Sequence, residues 1–140
     1  MRFMVLVKAS KESEAGVLPD EKLLAAMGKF NEKLVKAKML IAGEGLQPSS
    51  RGTRITFSRG RALVTEGPFP ETSELIAGFW MIRAKSQEEA LAWMKRAPMQ
   101  EDAELEIRPV FEAEDFAASD PTGKLRKQEE ALRATVAAHH

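Results

Sequence analysis

The segments Phe3-Met4-Val5-Leu6-Val7 and Phe79-Trp80-Met81-Ile82 are apolar at every residue. A strand sends alternate side chains to opposite faces. Phe3, Val5 and Val7 therefore oppose Met4 and Leu6, and Phe79 and Met81 oppose Trp80 and Ile82. Such strands need cover on both sides, which excludes a sheet with one face in water. The helices legible in this chain supply one cover. The second is most simply another sheet from a second copy, so a face-to-face homodimer is expected. Partial cover by the hairpin or by the C-terminal tail is the alternative.

The remaining elements follow from period and punctuation. Leu23, Met27, Phe30 and Leu34 recur at helical spacing behind Asp20, which predicts a capped amphipathic helix over about 20–37. Gly16 and Pro19 mark the loop before it. Met39-Leu40-Ile41-Ala42 reads as a short strand broken by Gly43 and Gly45. Residues 54–57 and 61–65 flank Ser58-Arg59-Gly60 as a hairpin. Ser86 and Glu89 have capping-box spacing and open a helix with Ala90, Leu91 and Met94 inward, ending near Pro98. Leu105, Ile107, Pro109 and Phe111 alternate with charged residues as a last strand. Without its hairpin this order is β-α-β-β-α-β, an α+β ferredoxin-like unit. The domain is expected over 1–116. A partly helical tail should follow over 117–140, anchored sparsely by Leu125, Leu132 and Val136.

Composition removes several classes of function. The 140 residues suit one domain. Equal numbers of basic and acidic side chains, 21 each, leave no excess cation to track a phosphate backbone, so direct nucleic-acid binding is not expected. No apolar run approaches the ~20 residues of a membrane span. The N-terminal apolar stretch reads as a strand rather than a signal peptide. There is no Cys, and the only histidines are His139 and His140 at the end. Thiolate and Ser–His nucleophiles, a transition-metal site and an imidazole base in the folded body are thereby excluded. No dinucleotide or phosphate-loop fingerprint is present, so no cofactor is expected. The lack of Cys fits a cytoplasmic location.

The loop Glu66-Gly67-Pro68-Phe69-Pro70-Glu71-Thr72-Ser73-Glu74 places a Gly-Pro turn, an aromatic and three carboxylates just before an apolar strand. With Met1-Arg2-Phe3-Met4-Val5-Leu6-Val7, Gly78-Phe79, Ala90-Leu91-Ala92-Trp93 and Glu106-Ile107-Arg108-Pro109-Val110, it resembles the YCII-related family, in its branch named for a DGPF motif. The resemblance runs from Met1 to about Phe116. It implies a ferredoxin-like fold, dimers built like an α/β barrel, and a cleft near the signature loop. Some relatives in the wider family are lyase-like enzymes that act on ring compounds through a His and Asp pair. This chain lacks that His. Glu66 stands where the family has Asp, and Ser73 where it usually has Lys. Relatives are also linked by association to extracytoplasmic-function sigma factors.

Glu66 and Glu71 are accordingly the candidates for an acid or base. Convergent carboxylates in a partly dry cleft can serve that role. The plain alternative is that they accept backbone N–H bonds and hold the loop, with Glu71 or Thr72 capping a short turn. For ligand binding the candidates are Lys8, Phe69, Glu74, Trp80, Arg83 and Arg108. Phe69 and Trp80 are equally readable as core, and the cations as members of ion pairs. Arg51, Arg54, Arg59 and Arg61 cluster around the hairpin, as a contact for an acidic partner or as a charge-guarded edge. Three readings of function stand. The first is a homodimer that binds an unknown small molecule. The second is a regulatory or interaction module tied to sigma-factor-dependent transcription. The third is an acid–base lyase or isomerase using Glu66 and Glu71.

Overall fold

The two all-apolar strands form the central pair of the main sheet, the position that needs cover on both faces. A computed structural model describes residues 1–139, so His140 lies outside the described residues. Strand β1 (Arg2–Lys8) is followed by a short helix α1 (Lys11–Glu14), helix α2 (Glu21–Lys36) and strand β2 (Leu40–Gly45). A hairpin of β3 (Thr53–Ser58) and β4 (Arg61–Glu66) precedes β5 (Ile76–Arg83), helix α3 (Gln87–Met94) and β6 (Leu105–Pro109). The main sheet has the order β2-β5-β1-β6, with every pairing antiparallel. This mixed α+β arrangement is consistent with the ferredoxin-like expectation.

Register decides which apolar residues meet the helices. Phe3 pairs with Ile82 and Val5 with Trp80. These residues share one buried cluster with Phe30 and Leu34 of α2 and Ala90 and Met94 of α3. Burying side chains such as Phe3, Leu34 and Ile82 stabilises by about 1.5–3 kcal/mol each. Met4 pairs with Met81 and Leu6 with Phe79 on the opposite face, where all four are half-buried. Ala42 and Glu44 flank that face on β2, and Glu106 and Arg108 flank it on β6.

Local signals set the helix starts. The Asp20 carboxylate accepts the Leu23 N–H at 2.8 Å, and the Ser86 hydroxyl accepts the Glu89 N–H at 3.1 Å. In α3 the inward residues are Ala90, Trp93 and Met94; Leu91, expected inward, is exposed. Helix α1 lies where a loop was expected. It is held by a reciprocal cap in which the Ser10 and Ser13 hydroxyls each accept the other's backbone N–H.

Strand β2 also corrects the sequence reading, because it runs through Gly43 to Gly45 instead of breaking there. Gly43 lies opposite Trp80, and a Cβ on it would stand 3.1 Å from the indole Cδ1. The glycine makes room for the indole beneath the strand. The hairpin turns through Arg59 and Gly60, with φ of 50° and 75°, the primed geometry that suits twisted strands. Both of its strands are exposed along their whole length.

The chain divides into two compact units after Pro109. Phe111, expected on the last strand, belongs to the second unit, where its ring meets that of Phe116 at 4.9 Å. Asp120 caps helix α4 (Lys124–Ala138) by accepting the Leu125 and Arg126 N–H groups at 3.1 and 2.9 Å. No residue of α4 is buried.

Candidate functional site

The signature loop is one wall of an open groove of about 700 Å³. Its anchor is Ser49, in the turn Ser49–Arg51 that follows β2. The Ser49 N–H donates to Glu14 Oε2 at 2.9 Å, and its hydroxyl makes a short hydrogen bond to Glu14 Oε1. The same hydroxyl oxygen accepts the Phe69 N–H at 3.0 Å. One serine thus ties α1, the turn after β2 and the signature loop together. The Gly67 N–H adds a bond to the Gly52 carbonyl at 3.0 Å, and the Gly67–Pro68 peptide is cis. The backbone approach is so close that a Cβ on Gly67 would sit 2.7 Å from the Ser49 carbonyl carbon. Gly67 is demanded here by the neighbouring chain.

Phe69 turns its ring into the groove. The Arg54 guanidinium carbon from β3 lies 3.8 Å from the centroid of that ring. Stacking of this kind is worth about 0.5–1 kcal/mol at an exposed site. Arg54 Nη1 also stands 3.9 Å from Glu71 Oε2, at the limit of an ion pair, with both side chains about half exposed (47% and 50%). Such a pair contributes about 0–1 kcal/mol. Glu14, Arg51 and Arg54 are the charged side chains of the lining, and Leu46, Pro48, Leu75 and Ile76 supply most of the apolar wall.

Of the acid–base and ligand-binding candidates from sequence, Phe69 alone lines this groove, joined by Arg51 and Arg54 of the hairpin arginine cluster. Glu66 accepts the hydroxyl of Thr53, its cross-strand partner, at 3.3 Å and is exposed. Glu71 precedes the turn Thr72–Glu74, but its side chain does not cap that turn. Glu74 is exposed in the same turn. Trp80 lies in the helix-covered core, 5% exposed, and donates its indole N–H to Asn31 Oδ1 at 2.8 Å. Lys8 ends β1, with its backbone N–H bonded to the Glu104 carbonyl. Arg108 Nε is 3.9 Å from Glu106 on its own strand. Arg83 borders a separate cavity of about 310 Å³ with Lys38, Lys85 and Glu89. The structure therefore does not bring Lys8 or Arg108 to the loop carboxylates; Arg54 takes that place.

Glu14 and Ser49 were missed from sequence because their contact spans 35 residues and neither belongs to a recognisable motif. Arg51 and Arg54 had a signal, the cluster of arginines around the hairpin. Among the described residues, no group of three or more His, Asp or Glu side chains is placed to hold a metal ion. No described helix is long and apolar enough to cross a membrane.

An antiparallel sheet with helices on one face and a groove beside a glycine-proline loop defines a small α+β protein. The chain belongs to the YCII-related domain family, whose model matches residues 1–114. An uncharacterised protein of Rhizobium meliloti (strain 1021) is 33% identical over 72 residues, which cover 51% of this chain and 58% of that relative's length. Among solved structures, the 5-chloro-2-hydroxyhydroquinone dehydrochlorinase of Burkholderia phenoliruptrix AC1100, in complex with 2,5-dihydroxybenzoquinone, is similar with a TM-score of 0.43. That similarity has 17% sequence identity and covers 81% of this chain and 98% of the other.

Proposed function

We infer that this protein binds a small molecule in the groove between the Ser49–Arg51 turn and the signature loop. The observation that carries the reading is the groove itself. Its size, about 700 Å³, lies within the ~300–1,000 Å³ typical of ligand sites, and a few polar groups interrupt an apolar lining. The reading assigns no chemical step. Glu66 and Glu71 are both exposed and neither borders the groove, so a lyase or isomerase reaction at those carboxylates draws no support from their placement. A fragment screen by amide chemical shift tests the binding. Perturbations centred on Gly52 and Phe69 are expected, and a screen in which no fragment moves them would end the reading.

The working unit is a homodimer in the dimeric α/β-barrel manner, and the protein is cytoplasmic. The half-buried face of Met4, Leu6, Phe79 and Met81 is the proposed interface. Its flanks carry both charge signs, Glu44 and Glu106 with Arg108, so a two-fold axis can place opposite charges together. A second reading, a regulatory or interaction module in the sigma-factor context, draws on the hairpin. Ile55, Phe57, Ala62 and Val64 share one exposed face there, with Phe57 at 80% exposure. A two-stranded hairpin is marginal in water by itself. We assign that face to a second copy of this chain rather than to a foreign protein, as part of the proposed dimer. Glu66-Gly67-Pro68-Phe69, standing where the DGPF-type branch of the family has Asp-Gly-Pro-Phe, supports the reading that the protein is of that branch.

A further inference from the structure

We propose that the ligand of this groove is a small monoanion: a carboxylate carried on a flat apolar body, held by Arg51 and Arg54. The proposal rests on the groove being the binding site and adds the chemistry of what it takes. Two arginines and one glutamate line the groove. Both carboxylate oxygens of that glutamate, Glu14, already accept hydrogen bonds from Ser49. What remains for a ligand is cationic. Among the described residues no carboxylate lies within ion-pair distance of Arg51.

Arg54 is already oriented for the task. Phe69 covers one face of its guanidinium, which leaves the edge N–H groups for a partner in the plane. Among the described residues its only ion-pair partner is Glu71, at 3.9 Å and half exposed. That contact is too long and too wet to compete with a bidentate ligand carboxylate. The single remaining lining carboxylate argues for one negative charge, since a second would face Glu14. The apolar body follows from the rest of the wall, where Leu46, Pro48, Phe69, Leu75 and Ile76 offer no donor from their side chains. A bare anion would leave that surface in water. The zero formal net charge of the chain also argues against a polyanion.

The test is an amide-shift titration of the full-length protein with benzoate, with its neutral isostere benzamide, and with inorganic phosphate. Benzoate should shift the Gly52, Phe69 and Ile76 amides. Benzamide and phosphate should each bind about tenfold more weakly or worse, as expected for loss of a charge-assisted hydrogen bond or of the apolar contact. Arg54→Gln and Arg51→Gln should each weaken benzoate by a similar factor and benzamide by less. Equal binding of benzoate and benzamide at these amides would overturn the anion assignment and leave the groove reading intact. Phosphate binding as tightly as benzoate would overturn the apolar body. If no probe moves these amides, the proposal falls, and the fragment screen alone decides the groove reading. The comparison of three probes on the unmodified protein decides the matter even where a variant fails to fold.

Discussion

Gly67 and Ser49 meet backbone to backbone, with no room between them for a side chain: a Cβ on Gly67 would lie 2.7 Å from the Ser49 carbonyl carbon. Gly67→Ala must therefore push the signature loop off the turn after β2. Overpacking of this kind costs about 1–3 kcal/mol. Denaturant melts should show that loss, and groove binding should weaken with it. A variant as stable as the parent would mean that the two segments separate freely.

Ser49→Ala removes the acceptor of the Phe69 N–H and the donor to Glu14. We expect a loss of about 1–2 kcal/mol. Glu14→Ala should cost a similar amount, and the double variant less than the sum, with coupling of about 1 kcal/mol. Strict additivity in the melts would show that the Glu14–Ser49–Phe69 chain does not act as a unit.

Met4 and Val5 are neighbours with opposite fates. Val5 is fully buried under the helices, whereas Met4 is half-buried on the other face. Met4→Asp should leave circular dichroism unchanged and convert the proposed dimer, burying about 1,600 Å² or more, to monomer. Val5→Asp buries an unpaired charge and should destabilise the fold itself by roughly 4 kcal/mol or more. Phe57→Ser should weaken the dimer yet change the stability of the monomer by no more than about 0.5 kcal/mol. Light scattering of the parent protein is the decisive control, because a monomer at micromolar concentration would remove the dimer proposal.

Glu66→Gln and Glu71→Gln separate the loop carboxylates from the groove. Glu66→Gln should keep fold and benzoate binding. Glu71→Gln frees Arg54 from a contact worth at most about 1 kcal/mol, so benzoate should bind somewhat more tightly. Loss of binding in both variants, with the fold intact, would return the carboxylates to the site.

The second compact unit begins at Val110, and its helix α4 buries nothing. Deleting residues 120–140 should leave a cooperatively melting protein. A truncated chain that cannot fold even at low temperature would make α4 part of the core.

Features written in a short window were legible from sequence. Asp20 and Ser86 cap their helices because a side-chain oxygen three residues upstream finds a free N–H whatever the rest of the chain does. Leu23, Met27, Phe30 and Leu34 recur at a period that gives one face, and that face points to the sheet. Alternation in β1 and β5 showed that both faces are apolar. It could not say which face the helices take, because a period of two fixes parity and not direction. That choice put Trp80 in the core.

The order of the main strands and of the two longer helices that pack on them was legible in the sequence, as was the lack of any thiol; helix α1 and the full length of β2 were not. Tertiary structure alone decided the site. Gly43 looks like a strand breaker until Trp80 is seen to occupy the space its side chain would need. Glu14, Ser49, Arg54 and Phe69 come from four separate segments, and nothing in the neighbourhood of any one of them names the others. Local signals act over a turn of helix or a pair of residues, so they reach the sequence directly. A groove is made where distant backbones close on each other, and its members are set by register and close approach rather than by pattern.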